Sequence, residues 1–225
     1  MLFLLPHPAP RSPQRGSPRM FRVAFIERYF SRVRPWQVVA LWLPVLLFLA
    51  ARALRDPALM GAAALTLAAG GVAGWTLLEY LLHRFFFHFS FPKDSELACD
   101  LWYLFHEVHH EYPHDRDRLV MPPILSVSLA LLIGLPLRAL AGPHAFYPLF
   151  AGIVAGYLWY DLTHYAAHHW KPLTGWGKHR KAYHLRHHFK EPGTRFGVTT
   201  PLWDYVFGTI GARPAAVERA RELRD

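Results

Sequence analysis

A single cysteine, Cys99, in 225 residues excludes an internal disulfide, so the fold requires no oxidising compartment. Acidic residues are also scarce. Asp and Glu number 16 against 25 Lys and Arg, for a formal net charge of +9. That balance suits either a nucleic acid or an anionic membrane surface, and the placement of the charges decides between them. The start of the sequence is not expected to be a secretory signal, because the apolar stretch Leu2–Leu5 is short for a signal core and lacks a basic region before it. No internal repeat of solenoid length is present. The chain does have length for one domain or one membrane unit, a 52% hydrophobic composition, and 15 histidines.

Pro6, Pro8, Pro10, Pro13 and Pro18 break the beginning of the chain repeatedly. Residues 1–19 are therefore expected to form a disordered leader, with Met20 an alternative translation start and residues 20–225 a membrane domain. Four apolar segments follow: Val38–Leu54, Ala58–Leu82 (with Gly61, Gly70, Gly71 and Gly74), Ile124–Leu140 and Ala145–Leu162. Each is roughly long enough to cross a ~30 Å hydrocarbon core. The separations are short, Arg55 to Pro57 and Ala141 to His144, and the interiors are nearly free of charge. Both features favour two membrane hairpins over two buried hairpins of a soluble protein. Small residues in the second segment allow close helix packing.

With these segments taken as spans, 22 of the 25 Lys and Arg fall on one side, and only Arg52, Arg55 and Arg138 lie at the other. Positive charge marks the cytoplasmic side, which places both termini and the central segment there. The basic balance is thereby accounted for without nucleic acid. The expected fold is all-α and integral to the membrane: four transmembrane helices as two hairpins, with a cytoplasmic helical cap from Phe89–Pro123 and Trp170–Phe207 that holds a dimetal site.

The histidines supply that site. They cluster as His83-Arg-Phe-Phe-Phe-His88, His106-Glu-Val-His109-His110, His164-Tyr-Ala-Ala-His168-His169 and His184-Leu-Arg-His187-His188, all at the cytoplasmic end. Positions i, i+3 and i+4 share a helix face, so His106, His109 and His110 can converge, as can His184, His187 and His188. His164 and His168 are one turn apart. Adjacent histidines such as His109 and His110 point ~100° apart and can serve two different metals. His83 and His88, five apart, diverge by ~140° on an α-helix and need either a helix end between them or two different targets. Neutral imidazoles bind Fe, Zn or Cu well. Ten ligands are too many for one ion and about right for two. The candidates are His83, His88, His106, His109, His110, His164, His168, His184, His187 and His188.

Some histidines and one motif stand apart from this set. His106-Glu107-Val108-His109-His110 matches the H-E-x-x-H zinc-protease pattern, with Glu107 as base, but that reading leaves three clusters unexplained. His169 and His179 are expected beside the ligands or at the interface, and His7, His114 and His144 in solvent. Asp161 and Glu79, each about a turn ahead of a candidate ligand, are expected to accept the free N–H of an imidazole and orient it.

The motifs HxxxxH, HxxHH, HxxxH and HxxHH, in that order, resemble the fatty acid hydroxylase / sterol desaturase superfamily over roughly Trp75 to Gly208. Flanking words agree: Glu79-Tyr80 before the first motif, Tyr160-Asp161 before the third, and Thr200-Pro201-Leu-Trp203-Asp204 near the end. Arg118-Leu-Val-Met-Pro-Pro123 is similar to the fatty acid 2-hydroxylase branch. The resemblance implies a di-iron oxygenase that uses O2 to place a hydroxyl at C2 of a long acyl chain. It also implies that zinc can occupy the site in purified or crystallised protein. A sterol, carotenoid or other lipid hydroxylase or desaturase would use the same metals. Eukaryotic 2-hydroxylases commonly carry a fused cytochrome b5 domain. No His-Pro-Gly-Gly haem motif occurs in this sequence, so electrons are expected from a separate cytochrome b5- or ferredoxin-like donor. Arg118 or Arg84 is a candidate to hold the acyl head. Phe85, Phe86, Phe87, Tyr112, Tyr165, Trp170, Trp176 and Phe189 are candidates either to line the acyl path or to anchor the chain at the interface.

Overall fold

A computed structural model describes residues 15–59, 61–88, 95, 99–100 and 103–211. Residues 1–14 of the expected leader and much of 89–102 in the expected cap lie outside these. The described residues form helices, with no strand beyond an isolated bridge between Val33 and Arg118. In order, these are α1 (Ala24–Tyr29), α2 (Pro35–Leu54), α3 (Gly61–Leu81), α4 (Val108–Glu111), α5 (Pro123–His169), α6 (Gly175–Phe189) and α7 (Leu202–Val206). Two π-helical stretches join them: Leu82–Phe87 continues α3, and Tyr103–Glu107 leads into α4.

Among the described residues, three helices are long and apolar enough to cross a membrane: Pro35–Leu54, Gly61–Phe87 and Pro123–His169. The last, 47 residues, is not one rod. Gly142 breaks it with φ +75° and ψ 176°, a backbone conformation that glycine adopts freely, and Pro143 follows. Beyond this point the chain doubles back. Phe150 packs on Gly134 and the Asp161 carboxylate accepts the Met121 N–H, 40 residues upstream. The segments Ile124–Leu140 and Ala145–Leu162 are thus the two antiparallel arms of α5.

The start of α2 follows from its sequence, with Pro35 at the first helical position and the Gln37 side chain accepting the Arg34 N–H at 2.8 Å. The turn after α2 lies beside the turn of α5, where His144 donates to Asp56 at 2.7 Å, so His144 has a partner as well as solvent. All four arms therefore run between this end and the histidine end. Glycines set how closely they pack. A Cβ on Gly71 would strike the Leu149 carbonyl, and one on Gly152 the Ala68 carbonyl, so α3 and α5 meet backbone to backbone. Nearer the histidines, Trp75 packs edge-on against Tyr157, with ring centroids 5.3 Å apart, and fills the space over Gly156. Outward, Leu47, Phe48, Leu65, Leu131, Leu132, Leu135 and Leu140 are exposed. Water would not tolerate an apolar surface of that extent, whereas lipid would.

At the histidine end the N-terminal segment is stitched to the chain after the second cluster. Val33 N donates to the Asp117 carbonyl at 2.7 Å, and Arg34 pairs with the Asp117 carboxylate at 2.8 Å. Ser17, within the expected leader, accepts from Arg118. Replacing Gly152 by Val should separate α3 from α5 and cost about 1–3 kcal/mol or more. Gly74→Ala, where a Cβ meets nothing within 4 Å, should be tolerated. Thermal unfolding in detergent, with the two variants side by side, checks both.

Candidate metal centre

The ten candidate histidines converge in two groups of five. Set one is His83, His88, His106, His110 and His187, and set two is His109, His164, His168, His184 and His188; within each, the ligand nitrogens all lie within 4.8 Å of one another. Local structure explains how each pair is brought together. His83 and His88 avoid the 140° divergence of an α-helix because the π stretch closes i to i+5, with His88 N donating to the His83 carbonyl at 3.2 Å. Residues five apart then stack, and their rings sit 5.0 Å apart in the same set. Separate targets are not involved, and the helical stretch ends at Phe87 with His88 as its cap.

The two HxxHH motifs divide in a reciprocal way. In the second cluster His106 and His110, four apart, belong to set one and His109 to set two. In the fourth cluster His184 and His188 belong to set two and His187 to set one. Each motif thus keeps its i, i+4 pair on one side and lends its middle histidine to the other. The sets adjoin, with the His110 ring stacked on the His188 ring at 4.1 Å between centroids.

Within and around the sets, Nε2 atoms face one another at 2.9–3.1 Å, as in His83–His106, His106–His110, His88–His187, His109–His164 and His168–His184. Where Nδ1 is tied down the tautomer follows. His83 Nδ1–H donates to the Phe196 carbonyl at 2.5 Å and His187 Nδ1–H to the Thr194 carbonyl at 2.7 Å, leaving Nε2 as a lone pair. Two nitrogens ~2.1 Å from one ion and at right angles lie ~3.0 Å apart, the spacing observed. Burial drives these imidazoles neutral, and neighbouring imidazoles add to the effect. His88 is pushed down to about 3 and His187 to about 4, while His106, His109, His110, His184 and His188 fall well below the usual histidine value. Neutral imidazole is the metal-binding form. The residues fit two ions.

Other candidates are placed differently. Glu107 belongs to neither set, which are imidazoles alone, so the H-E-x-x-H resemblance does not extend to its base. Asp161 takes the Met121 N–H at 3.3 Å and not an imidazole; His164 Nδ1 has no partner among the described residues. Glu79 likewise meets no histidine and accepts the Val198 and Thr199 N–H groups. His169 stacks on Tyr165 at 4.6 Å, and His114 and His179 are exposed.

A cavity of about 750 Å³ opens against both sets, walled by His106 from one and by His109 and His164 from the other. Away from them its wall is apolar, including Phe87, Leu119, Leu125 and Leu129, and its rim carries the exposed Phe30, Phe86, Ile124 and Leu132. Of the aromatics named from sequence, Phe86 and Phe87 line it; Phe85, Trp170, Trp176 and Phe189 are exposed elsewhere. Arg118 also lines it, but as a partner already taken. Its guanidinium donates to Asp115, Glu27, Ser31 and Ser17 and is buried among them. Sequence motifs gave no signal for this, because Glu27, Ser31 and Ser17 come from the N-terminal segment. Arg84 donates to the Tyr80 hydroxyl at 2.7 Å, away from the cavity lining.

The sequence model of the fatty acid hydroxylase family matches residues 68–209. The chain is 39% identical to the dihydroceramide fatty acyl 2-hydroxylase FAH2 of Arabidopsis thaliana, across 90% of this chain and 84% of that protein. It is 34% identical to the fatty acid 2-hydroxylase of Rattus norvegicus (85% and 56%) and 40% identical to the ceramide very long chain fatty acid hydroxylase SCS7 of Saccharomyces cerevisiae (89% and 51%). It spans about half the length of these last two. The solved hydroxylase domain of Scs7p superposes with a TM-score of 0.78 at 39% identity, covering 84% of this chain and 70% of that one.

A pH prediction follows from the neutral imidazoles. Their folded values lie below the unfolded ~6.5, so the unfolded chain takes up protons first as pH falls. Metal-free protein should therefore lose stability progressively from about pH 6.5 towards pH 4. Unfolding midpoints of the metal-free protein across that range check it, and a flat profile would contradict buried neutral histidines.

Proposed function

The chain belongs to the fatty acid hydroxylase family, in its 2-hydroxylase branch, and from that premise we propose that it hydroxylates a lipid acyl chain at C2, using O2 and two iron ions held by the two histidine sets. The observation that carries the reading is one apolar cavity walled at its inner end by histidines of both sets. An unactivated C–H bond lies beyond acid–base catalysis, and redox-active metal at the sets supplies the O2 chemistry that such a bond demands.

The protein's own residues do the rest. The ten imidazoles hold the ions, and burial keeps those nitrogens unprotonated. Leu125, Leu129 and Leu132 extend the cavity along the first arm of α5 to an exposed rim, so an acyl tail enters sideways from the bilayer. Passage from lipid to this wall exchanges one apolar surroundings for another, so the tail is accommodated without strong drive. The volume falls in the range typical of ligand sites, ~300–1,000 Å³. Met121, Leu119 and Phe87 crowd out water beside His106, His109 and His164.

In the membrane, α2, α3 and the two arms of α5 form four spans in two hairpins. The excess of Lys and Arg at the histidine end supports a cytoplasmic position for both termini, the helical cap and the metals. Electrons then arrive from a separate cytochrome b5- or ferredoxin-like donor. The head of the substrate meets Arg118 already neutralised by Glu27 and Asp115, the only basic side chain among the described residues lining the cavity. A free carboxylate would bring a charge with no counter-ion. An acyl group in neutral amide linkage suits that lining better, in keeping with the relative named as acting on dihydroceramide.

His187→Ala and His168→Ala should each lose bound iron and 2-hydroxy product together, measured by metal analysis and lipid mass spectrometry. Full activity with the metal gone would end the proposal. Amide-linked acyl substrate should be converted in preference to the same acyl chain as free acid. Equal or better turnover of the free acid would show that the head is recognised otherwise.

A further inference from the structure

Between α6 and α7, residues 194–200 run as irregular chain, yet they are anchored from three helices. Two carbonyls of this strap, Thr194 and Phe196, accept Nδ1–H from His187 and His83, one on each of two elements of set one. Arg195 between them has φ +61°, a left-handed conformation rarely held by a residue other than glycine, and such a conformation persists only where the surroundings over-determine it.

The surroundings do so. Asp204, on α7, accepts the Phe196 N–H at 2.9 Å on one oxygen and the Gly197 N–H at 2.8 Å on the other. Glu79, on α3, accepts the Val198 and Thr199 N–H groups at 2.6 and 2.7 Å, and the Thr199 hydroxyl. Arg180, on α6, donates to the Gly197 and Val198 carbonyls. All three side chains are at most 3% exposed, and both carboxylates use both oxygens on the strap or its flanks, while Arg180 engages it through Nε and Nη2. Gly197 leaves no slack, since an added Cβ would lie 3.0 Å from the Asp204 carboxylate and against the Thr200 carbonyl. Set two has no counterpart: among the described residues nothing accepts from Nδ1 of His109, His164, His184 or His188.

We propose that Glu79, Asp204 and Arg180 are positioning residues for the first metal alone, acting through the strap. They fix the Thr194 and Phe196 carbonyls, which hold His83 and His187 in the tautomer and orientation that point the Nε2 lone pair at the ion. The proposal rests on the reading of the two sets as metal sites. It goes further in making the two sites unequal, one with two of its rings held by backbone carbonyls and the other with four whose Nδ1 has no partner among the described residues.

Cobalt(II) titration of the metal-free protein in detergent tests this without reference to turnover. His187→Ala and His168→Ala identify which binding phase belongs to which set. Asp204→Asn and Glu79→Gln should then weaken the set-one phase by about 10–100-fold and leave the set-two phase unchanged. Thr199→Val, which removes only the hydroxyl bond to Glu79, should show a smaller loss of the same one-sided kind. It keeps the test open where the stronger variants fail to fold. Equal weakening of both phases would overturn the proposal, as would unchanged cobalt binding with a lowered melting temperature, the mark of a purely structural role. Wild-type protein taking up no second equivalent, or histidine variants that leave both phases intact, would instead overturn the metal reading beneath it.

Discussion

Ten imidazole rings, most of them buried, are gathered with Nε2 facing Nε2 at about 3 Å, and two ions among them would engage the nitrogens of both sets. Where the His83 and His187 tautomers are fixed by backbone carbonyls, their inward nitrogens are lone pairs facing other nitrogens at about 3 Å. A buried acceptor left without a donor costs about 1–3 kcal/mol, a penalty that falls on each lone pair turned towards another. A cation among them reverses the sign of each contribution. The surrounding structure can be understood as what holds these rings together: the π turns that re-phase His83 with His88, the helical clusters that divide their rings between two sets, and the strap that locks two of them.

The membrane-compatible frame and the site depend on one another. Close backbone packing at Gly71 and Gly152 draws α3 against the second arm of α5, which delivers His83 and His164 to the same end of the bundle. The first arm of α5 lines the cavity with Leu125 and Leu129 and leaves Leu131, Leu135 and Leu140 exposed where lipid would lie. On the proposed reading an apolar substrate and metals held by the two sets would share a boundary, and an acyl tail would not cross water. The same geometry explains the ion-paired cluster of Arg118, Glu27 and Asp115. It ties the N-terminal segment over the cavity, closing a wall that the long helices alone leave open.

Much of this was legible in the sequence, for identifiable reasons. Histidine spacing carried the ten ring positions because i, i+4 pairs on a helix have a fixed direction, and the apolar runs carried the arms of α5 because Gly142-Pro143 interrupts them. The i, i+5 pair was harder. A π turn has no compositional signature, so His83 and His88 looked divergent until the backbone was known. The acidic neighbours misled for a related reason. Asp161 and Glu79 lie one turn from ligands in sequence, but helical direction turns them to Met121 and to Val198 and Thr199, partners supplied by distant loops. Arg118 lines the cavity as a head-group candidate would, but its ion pairing was not legible, since Glu27 and Ser31 reach it from 91 and 87 residues away.

The central claim is that O2 chemistry at the two histidine sets acts on the carbon next to the acyl carbonyl. Iron-loaded protein in lipid, supplied with a reductase system, a long-chain acyl amide and ¹⁸O2, tests it most directly by mass spectrometry of the product. The account predicts one ¹⁸O atom per product, in a hydroxyl at C2. Label confined to a sterol or carotenoid ring, or to another acyl carbon, or absent from every product, would contradict it.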